Sequence, residues 1–392
     1  MSKDSELNFH HDFIITSVEE AEAFLEELYM FIYKNGIGDV WITTNDKIMA
    51  EHNKQTVVIT EEEINRDVME YFAQIICGGK NGVADLYKGL PINRAIDYRD
   101  KETNARVRFR VNIVKTYHLE ADGFAITMRK IDHEPLDLDI IGISENDEIY
   151  KEFFKMQGMS LITGPTGSGK STTMSSMLQH YAFNNSVIVD TYEEPIEYVY
   201  DKVNKESKTS RIFQTEIPTG LSNFVVALEE SLRRKPHFIS IGELRDTQTI
   251  STAINVGLTG HLVMSTTHTN GAPATLRRLI SIFPAEERES RQVDLIEQMN
   301  IIVAQRLLRT VEGKKIAIRE HLVFTQEIKD RLQQVDPLKI NLEVRKIMNE
   351  QGNGLLIEAR KLFKNNIIEE KEYREIEKIF GEEYKKSKTI DS

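Results

Sequence analysis

The sequence predicts an α/β protein in two parts: a small N-terminal α+β region, and a C-terminal region built on a parallel sheet. Three observations predict it. From Glu148 onward, short apolar runs alternate with helix-compatible runs, as in a parallel sheet with helices on both faces. Between the first of these strands, Met159-Ser160-Leu161-Ile162-Thr163, and the first helix, Thr172-Thr173-Met174-Ser175, lies Gly164-Pro165-Thr166-Gly167-Ser168-Gly169-Lys170-Ser171. Ahead of Glu148 the periodicity is mixed, helical near the start and alternating over 105–112.

Residues 16–34 place Val18, Ala21, Phe24, Leu25, Leu28, Phe31 and Ile32 at helical spacing, with glutamates on the other face. A turn at Asn35-Gly36-Ile37-Gly38 precedes strands at 39–43 and 56–59. Thr60 and Glu63 have the spacing of a capping box for a helix through Ile76. Gly78-Gly79-Lys80-Asn81-Gly82 breaks the chain, and strands follow at 92–98, 105–114 and 123–130. In the second of these, Arg106, Arg108 and Arg110 share one face and Val107, Phe109 and Val111 the other. Periodicity alone favours a solvated face of an antiparallel sheet. Residues 131–147, acidic and containing Pro135, read as a linker, giving domains at 1–130 and 148–392.

In the C-terminal domain, strands are expected at 159–163, 186–191, 237–241 and 261–266. Helices are expected at 171–183, 223–234, 247–256, 273–281 and 286–308. A late strand at 315–324 precedes short charged helices to about 386, with a frayed tail beyond Glu382. There is no long-period repeat.

Composition narrows the class. The chain has 392 residues, 40% of them hydrophobic and 29% charged, which suits a globular protein. The net charge of -12 gives no overall basic field to attract nucleic acid. Cys77 is the only cysteine, which excludes internal disulfides and cysteine-ligated zinc and suits a reducing cytosol. Met1-Ser2-Lys3-Asp4-Ser5-Glu6 lacks the layout of a signal peptide, and no stretch has the roughly 20 apolar residues of a spanning helix. Any work at a membrane is expected to be peripheral.

A strand that delivers a glycine-rich turn into a helix N-terminus aims successive backbone N–H groups into one concavity, with the helix dipole behind them. Residues Gly164 to Thr172 are therefore expected to hold a polyphosphate. Lys170 would reach its terminal phosphates, and Ser171 would offer a hydroxyl to magnesium. Three further strands end in chemistry. Val187-Ile188-Val189-Asp190-Thr191-Tyr192 runs into Glu193, Glu194 and Pro195; Phe238-Ile239-Ser240-Ile241 runs into Gly242, Glu243 and, two residues on, Arg245. His261 and His268 flank Leu262-Val263-Met264-Ser265-Thr266-Thr267. Carboxylates at such edges can order magnesium and its waters or polarise an attacking water, and a histidine in a polar turn can sense a γ-phosphate. Singly each is ordinary. Together they end strands that a phosphate-loop architecture sets side by side.

The set 164–171, 191–198, 242–246 and 260–270 resembles the secretion-ATPase superfamily, which powers type II and type IV secretion and type IV pili. Its phosphate loop, acidic "Asp box", second acidic strand and "His box" all occur in order, and Val303-Ala304-Gln305-Arg306-Leu307-Leu308 looks like the segment that follows them. The resemblance implies an N-terminal PAS-like domain, a RecA-like ATPase domain and a hexameric ring, with ATP and Mg2+ held between domains. It implies that Arg108, Arg110 and Arg129 contact the phosphates, that Glu243 and Glu193 are the catalytic carboxylates, and that His268 reports the γ-phosphate. Glu243 and Ser171 would share the metal. Two departures from the family pattern are informative. Glu194 stands where the pattern usually has aspartate, and one cysteine cannot build the four-cysteine module of the extension and type II branches. The cysteine count brings the chain nearer the retraction and type IV secretion branches, and the 192–200 stretch with the acidic, charged C-terminal end looks closest to a type IVB (Dot/Icm-like or conjugative) secretion ATPase, cytoplasmic and docked on inner-membrane components. A pilus-retraction motor is the alternative within the family. A RecA-type DNA motor is the alternative outside it, disfavoured by the acidic balance.

Overall fold

The computed structural model describes residues 7–10, 14–132 and 134–388, with side chains to residue 381. The reading of Met1 to Glu6 lies outside them. The chain divides into two compact units, residues 1–133 with 194–197, and residues 134–193 with 198–392.

The first unit begins with α1 (Val18–Lys34), whose start is a true capping box: Glu20 N donates to Ser17 Oγ and Ser17 N to the Glu20 carboxylate. Strands β1 (Asp39–Thr43), β2 (Asp46–His52) and β3 (Gln55–Ile64) follow, then α2 (Arg66–Cys77) and α3 (Lys80–Tyr87). The unit closes with β4 (Ile92–Arg99), β5 (Arg106–His118) and β6 (Ala121–Ile131). All six strands form one antiparallel sheet in the order β3-β2-β1-β6-β5-β4. Its core packs Leu25, Leu28, Phe72, Phe109 and Ile126 between sheet and helices.

One expectation fails here and another holds in part. Thr60 does not start a helix. The β-branched run from Thr56 carries β3 on to Ile64, and Thr60 Oγ1 accepts a hydrogen bond from Ile48 N across the sheet. The cap of α2 is Asn65, whose side chain accepts from Val68 N at 3.0 Å. The glycine-rich stretch at 78–82 ends α2 at a left-handed Gly78, and α3 starts at once.

The second unit opens with α4 (Leu138–Ile141) and α5 (Glu148–Phe153). Residues 134–147 are therefore part of this unit and not a linker, because Leu138 and Ile143 insert into the core beside Met174, Met177 and Leu178. Then come β7 (Gly158–Thr163), α6 (Lys170–Asn184), β8 (Ile188–Glu193), α7 (Asp201–Glu206), β9 (Arg211–Glu216), α8 (Phe224–Arg234), β10 (Phe238–Ile241), α9 (Thr247–Leu258), β11 (Leu262–Thr267) and α10 (Ala272–Ser281). The remainder is α11 (Arg288–Gln298), β12 (Met299–Arg309), β13 (Lys315–Val323), α12 (Gln326–Gln333), α13 (Ile340–Glu350), α14 (Leu355–Lys364) and α15 (Glu370–Lys388). The last helix runs through the segment expected to fray beyond Glu382.

The seven-stranded sheet has the order β13-β12-β7-β11-β10-β8-β9, parallel except for β13. Residues 299–308, expected to continue a helix from 286, instead form β12. Ile301, Ile302 and Val303 are β-branched, fully buried, and paired on both edges with β7 and β13. A short apolar run of this kind fits a buried strand as well as a helix face.

Trp41, the only tryptophan, lies in the first unit. Phe72 is fully buried there and stacks on Phe24 with ring centroids 5.4 Å apart. Phe72→Ala is expected to destabilise this unit by about 3–5 kcal/mol, read as a lower urea midpoint for the Trp41 fluorescence transition.

Candidate active site

The glycine-rich turn has the shape the sequence implies. Gly164 has a φ of +152°, and a Cβ there would stand 2.3 Å from the Gln305 carbonyl oxygen and 2.7 Å from Ser168 Oγ. No side chain fits that approach. Gly169, at φ +80°, ends the turn in a left-handed conformation as the N-cap of α6. It offers no capping side chain, so the first-turn N–H groups of α6 remain available for an anion. Ser168 Oγ is buried without a hydrogen-bond partner among the described residues. Thr166 and Gly167 form the exposed tip, between Pro165 and Ser168.

Lys170 is 7% exposed, and its Nζ donates to the carbonyls of Gly164 at 3.0 Å and Pro165 at 3.1 Å. An ammonium is costly to bury unless such acceptors hold it. Here its own loop holds it over the turn. Ser171 and Thr172 occupy the first turn of α6 and are partly exposed, and Thr172 Oγ1 lies 2.8 Å from the Tyr198 hydroxyl. A polyphosphate fits this cradle.

The sheet order explains what surrounds it. β7 carries the loop, and β11, β10 and β8 follow as successive neighbours. Their C-terminal ends therefore line one edge, where open α/β sheets bind ligands. His268, just past β11, lies between the two charges: Nδ1 is 3.5 Å from Lys170 Nζ, and Nε2 is 3.4 Å from Glu243 Oε2. Glu243 also forms an ion pair with Arg245. Burial lowers the His268 pKa below its usual 6.5, the Lys170 charge lowers it further, and Glu243 opposes both.

Hydroxyls fix the turn that carries His268. Thr269 Oγ1 is 2.6 Å from Thr163 Oγ1 and 2.6 Å from Thr275 Oγ1. Glu320, 6% exposed, accepts from Ala272 N at 3.1 Å and Leu355 N at 3.0 Å, serving the N-terminal ends of α10 and α14 together. The threonine run is visible in the sequence. The Glu320 contacts, across 35 to 48 residues, are not.

Glu193 ends β8, next to β10. It accepts from Thr191 Oγ1 at 2.8 Å and Gln214 Nε2 at 3.1 Å. The Cα of Glu193 would be 3.7 Å from a Cβ at Gly242, so the two carboxylate-bearing strand ends are adjacent. Among the described residues, no group of three or more His, Cys, Asp or Glu side chains is arranged to hold a metal. A divalent ion near Ser171 and Glu243 would draw most of its ligands from phosphate and water oxygens, as magnesium does.

The arginines on β5 and β6 divide into three situations, all within the first unit. Arg108 is 3% exposed; it lies 3.3 Å from Asp97 and donates to the carbonyls of Glu197 at 2.7 Å and Ile196 at 2.9 Å. It is a buried anchor for the acidic segment, whereas periodicity alone favoured a solvated arginine face. Arg129 is paired with Asp39 through two hydrogen bonds of 2.8 and 2.7 Å. Arg110 is exposed and makes no side-chain bond among the described residues.

Comparison with known proteins is consistent with this geometry. Residues 16–359 match the model of the type II/IV secretion system protein family, and the chain belongs to that family. A twitching motility protein of Neisseria gonorrhoeae is 34% identical over 251 residues, 64% of this chain and 64% of that protein. The chain thus spans just under two thirds of the relative's length. The X-ray structure of the Legionella pneumophila ATPase DotB is similar with a TM-score of 0.81 and 33% identity, covering 90% of this chain and 95% of that one. The crystal structure of the pilus retraction motor PilT with bound ADP is similar with a TM-score of 0.75 and 26% identity, covering 90% and 96%.

The His268 environment gives a titration with a definite sign. Its imidazole should titrate below 6.5 by NMR. Lys170→Ala removes a neighbouring cation and should raise the value, whereas Glu243→Gln removes the opposing anion and should lower it. Identical values in all three proteins would show that the cluster does not form.

Proposed function

We propose that this member of the type II/IV secretion system protein family is a Mg2+-dependent ATPase that hydrolyses ATP to ADP and phosphate. The observation that carries the reading is the Lys170–His268–Glu243 cluster, which joins the phosphate loop to the ends of two neighbouring strands. Bound magnesium would neutralise developing phosphate charge and help orient the attacking water. Residues Gly164 to Thr172 hold the polyphosphate through backbone N–H groups, and Lys170 exchanges its carbonyl partners for phosphate oxygens. Ser171 supplies a hydroxyl ligand. Glu243, braced by Arg245, orients the water and takes its proton, and Glu193 is the second carboxylate at the same edge. His268, uncharged at neutral pH, donates or accepts a hydrogen bond at the γ-phosphate without adding charge. Arg110 and Arg129 are both exposed, and of the two Arg110 is the one not paired with an aspartate among the described residues, which suits phosphate contact.

The architecture we assign is a PAS-like first unit and a RecA-like second unit, acting as a homohexamer. We place it in the cytoplasm, peripheral to the inner membrane, where hydrolysis drives a type IVB secretion machine. No helix of the described residues is long and apolar enough to cross a membrane. The DotB likeness, at higher identity than the PilT one, supports the secretion reading. The twitching motility relative favours a pilus-retraction motor as the second reading. Co-purified partners separate them: secretion-channel components support the first, pilins and pilus-platform proteins the second.

Phosphate-release assays on purified protein test the chemistry. Lys170→Ala and Glu243→Gln should each lower turnover by about 10²-fold or more while circular dichroism stays that of the parent. Turnover persisting in Glu243→Gln removes Glu243 from its role. Arg110→Ala should lower kcat with little change in ATP affinity, whereas Arg108→Ala should cost about 1–3 kcal/mol of stability by leaving the Ile196 and Glu197 carbonyls without their donor, while Asp97 keeps Arg106.

A further inference from the structure

We propose that Gln305 and Arg319 are positioning residues that shape the phosphate loop from behind and tie it to residues 138–142, the start of the second unit. The inference rests on reading residues 164–172 as a polyphosphate cradle. Gln305 lies on β12 and is 1% exposed. Its Nε2 donates to the Ser168 carbonyl at 2.6 Å. Its Oε1 accepts from Thr173 Oγ1 at 2.8 Å and from Arg319 Nε at 2.7 Å. Arg319 is its direct cross-strand partner on β13. The guanidinium then reaches the end of α4, donating to Ile141 O at 2.7 Å and Gly142 O at 3.4 Å.

The chemistry fixes which way the amide points. An arginine has donors only, so the group facing it must be the amide oxygen. That leaves the NH2 for Ser168, whose carbonyl can only accept. Burial lowers Arg319 to about 10, which leaves it protonated at neutral pH. The amide is therefore held in one orientation by a permanent cation on one side and a loop carbonyl on the other. Gln305 also supplies the main-chain carbonyl against which Gly164 packs. Side chain and backbone of one residue thus contact both ends of the turn.

Gln305→Glu separates positioning from bulk packing. A carboxylate still pairs with Arg319 and fills the same volume, but it aims an oxygen at the Ser168 carbonyl. We expect an unfolding midpoint near the parent's, with the Kd for a fluorescent ATP analogue and kcat/KM each worse by about 10- to 100-fold. Amide hydrogen exchange should quicken over 164–173 and not along β12 and β13. Values within about twofold of the parent, or exchange quickened along the whole of both strands, would overturn the proposal. Should Gln305→Glu fail to fold, Arg319→Lys serves instead. Its single ammonium cannot hold Gln305 and Ile141 together, so 138–142 and 164–172 should loosen in concert, and a phosphate loop left unchanged would overturn the proposal. Lys170→Ala run in parallel tests the underlying reading. If it keeps full analogue affinity, the cradle assignment fails and this inference goes with it; if it loses affinity, the Gln305 result decides alone.

Discussion

The second unit is built around the approach of Gly164 to the backbone of Gln305. A gap that would put a Cβ 2.3 Å from a carbonyl oxygen leaves no room for any residue but glycine. It also requires an extended chain directly beside the phosphate loop. β12 meets that need by pairing with β7 up to Ala304 and Thr163, one residue before each chain reaches the contact. Placing β12 there puts the loop strand third from the β13 edge of a sheet that is parallel except for β13, with β11, β10 and β8 beyond it. The strands that carry His268, Glu243 and Glu193 follow from that order.

Electrostatics then assigns roles along the edge. Lys170 and Glu243 carry opposite charges, and His268 lies between them. An imidazolium there would face the ammonium in a partly desolvated site, so the neutral ring is favoured. A neutral histidine keeps one donor and one acceptor nitrogen, and can bridge a cation and an anion without cancelling either. Arg245 pairs with Glu243 from the other side, holding the carboxylate in place while leaving the ring uncharged.

Much of this was legible in the residues. The phosphate loop, the carboxylates after two apolar strands and the threonine-rich turn at His268 are local patterns, and each falls on the element expected. The errors came from places where local pattern is ambiguous or silent. Residues 299–308 have apolar spacing compatible with helix or strand, and only pairing on both edges decides for the strand. Thr60 matches a capping box by spacing but is claimed by its partner strand. Arg108 and Arg110 alternate identically in sequence, yet one is buried on an aspartate and two carbonyls and the other is exposed. Gln305 makes its loop contact across 137 residues, and no spacing rule reaches that far.

The acidic box shows why such long-range contacts matter to chemistry. Glu193 belongs to the sheet of the second unit, whereas residues 194–197, one peptide bond later, group with the first unit. Arg108 holds two consecutive carbonyls of that segment, and its burial makes the hold costly to release, because a buried guanidinium would keep only Asp97 and lose both carbonyl acceptors. Within its own unit Glu193 is restrained by the β8 ladder and by the Thr191 and Gln214 hydrogen bonds.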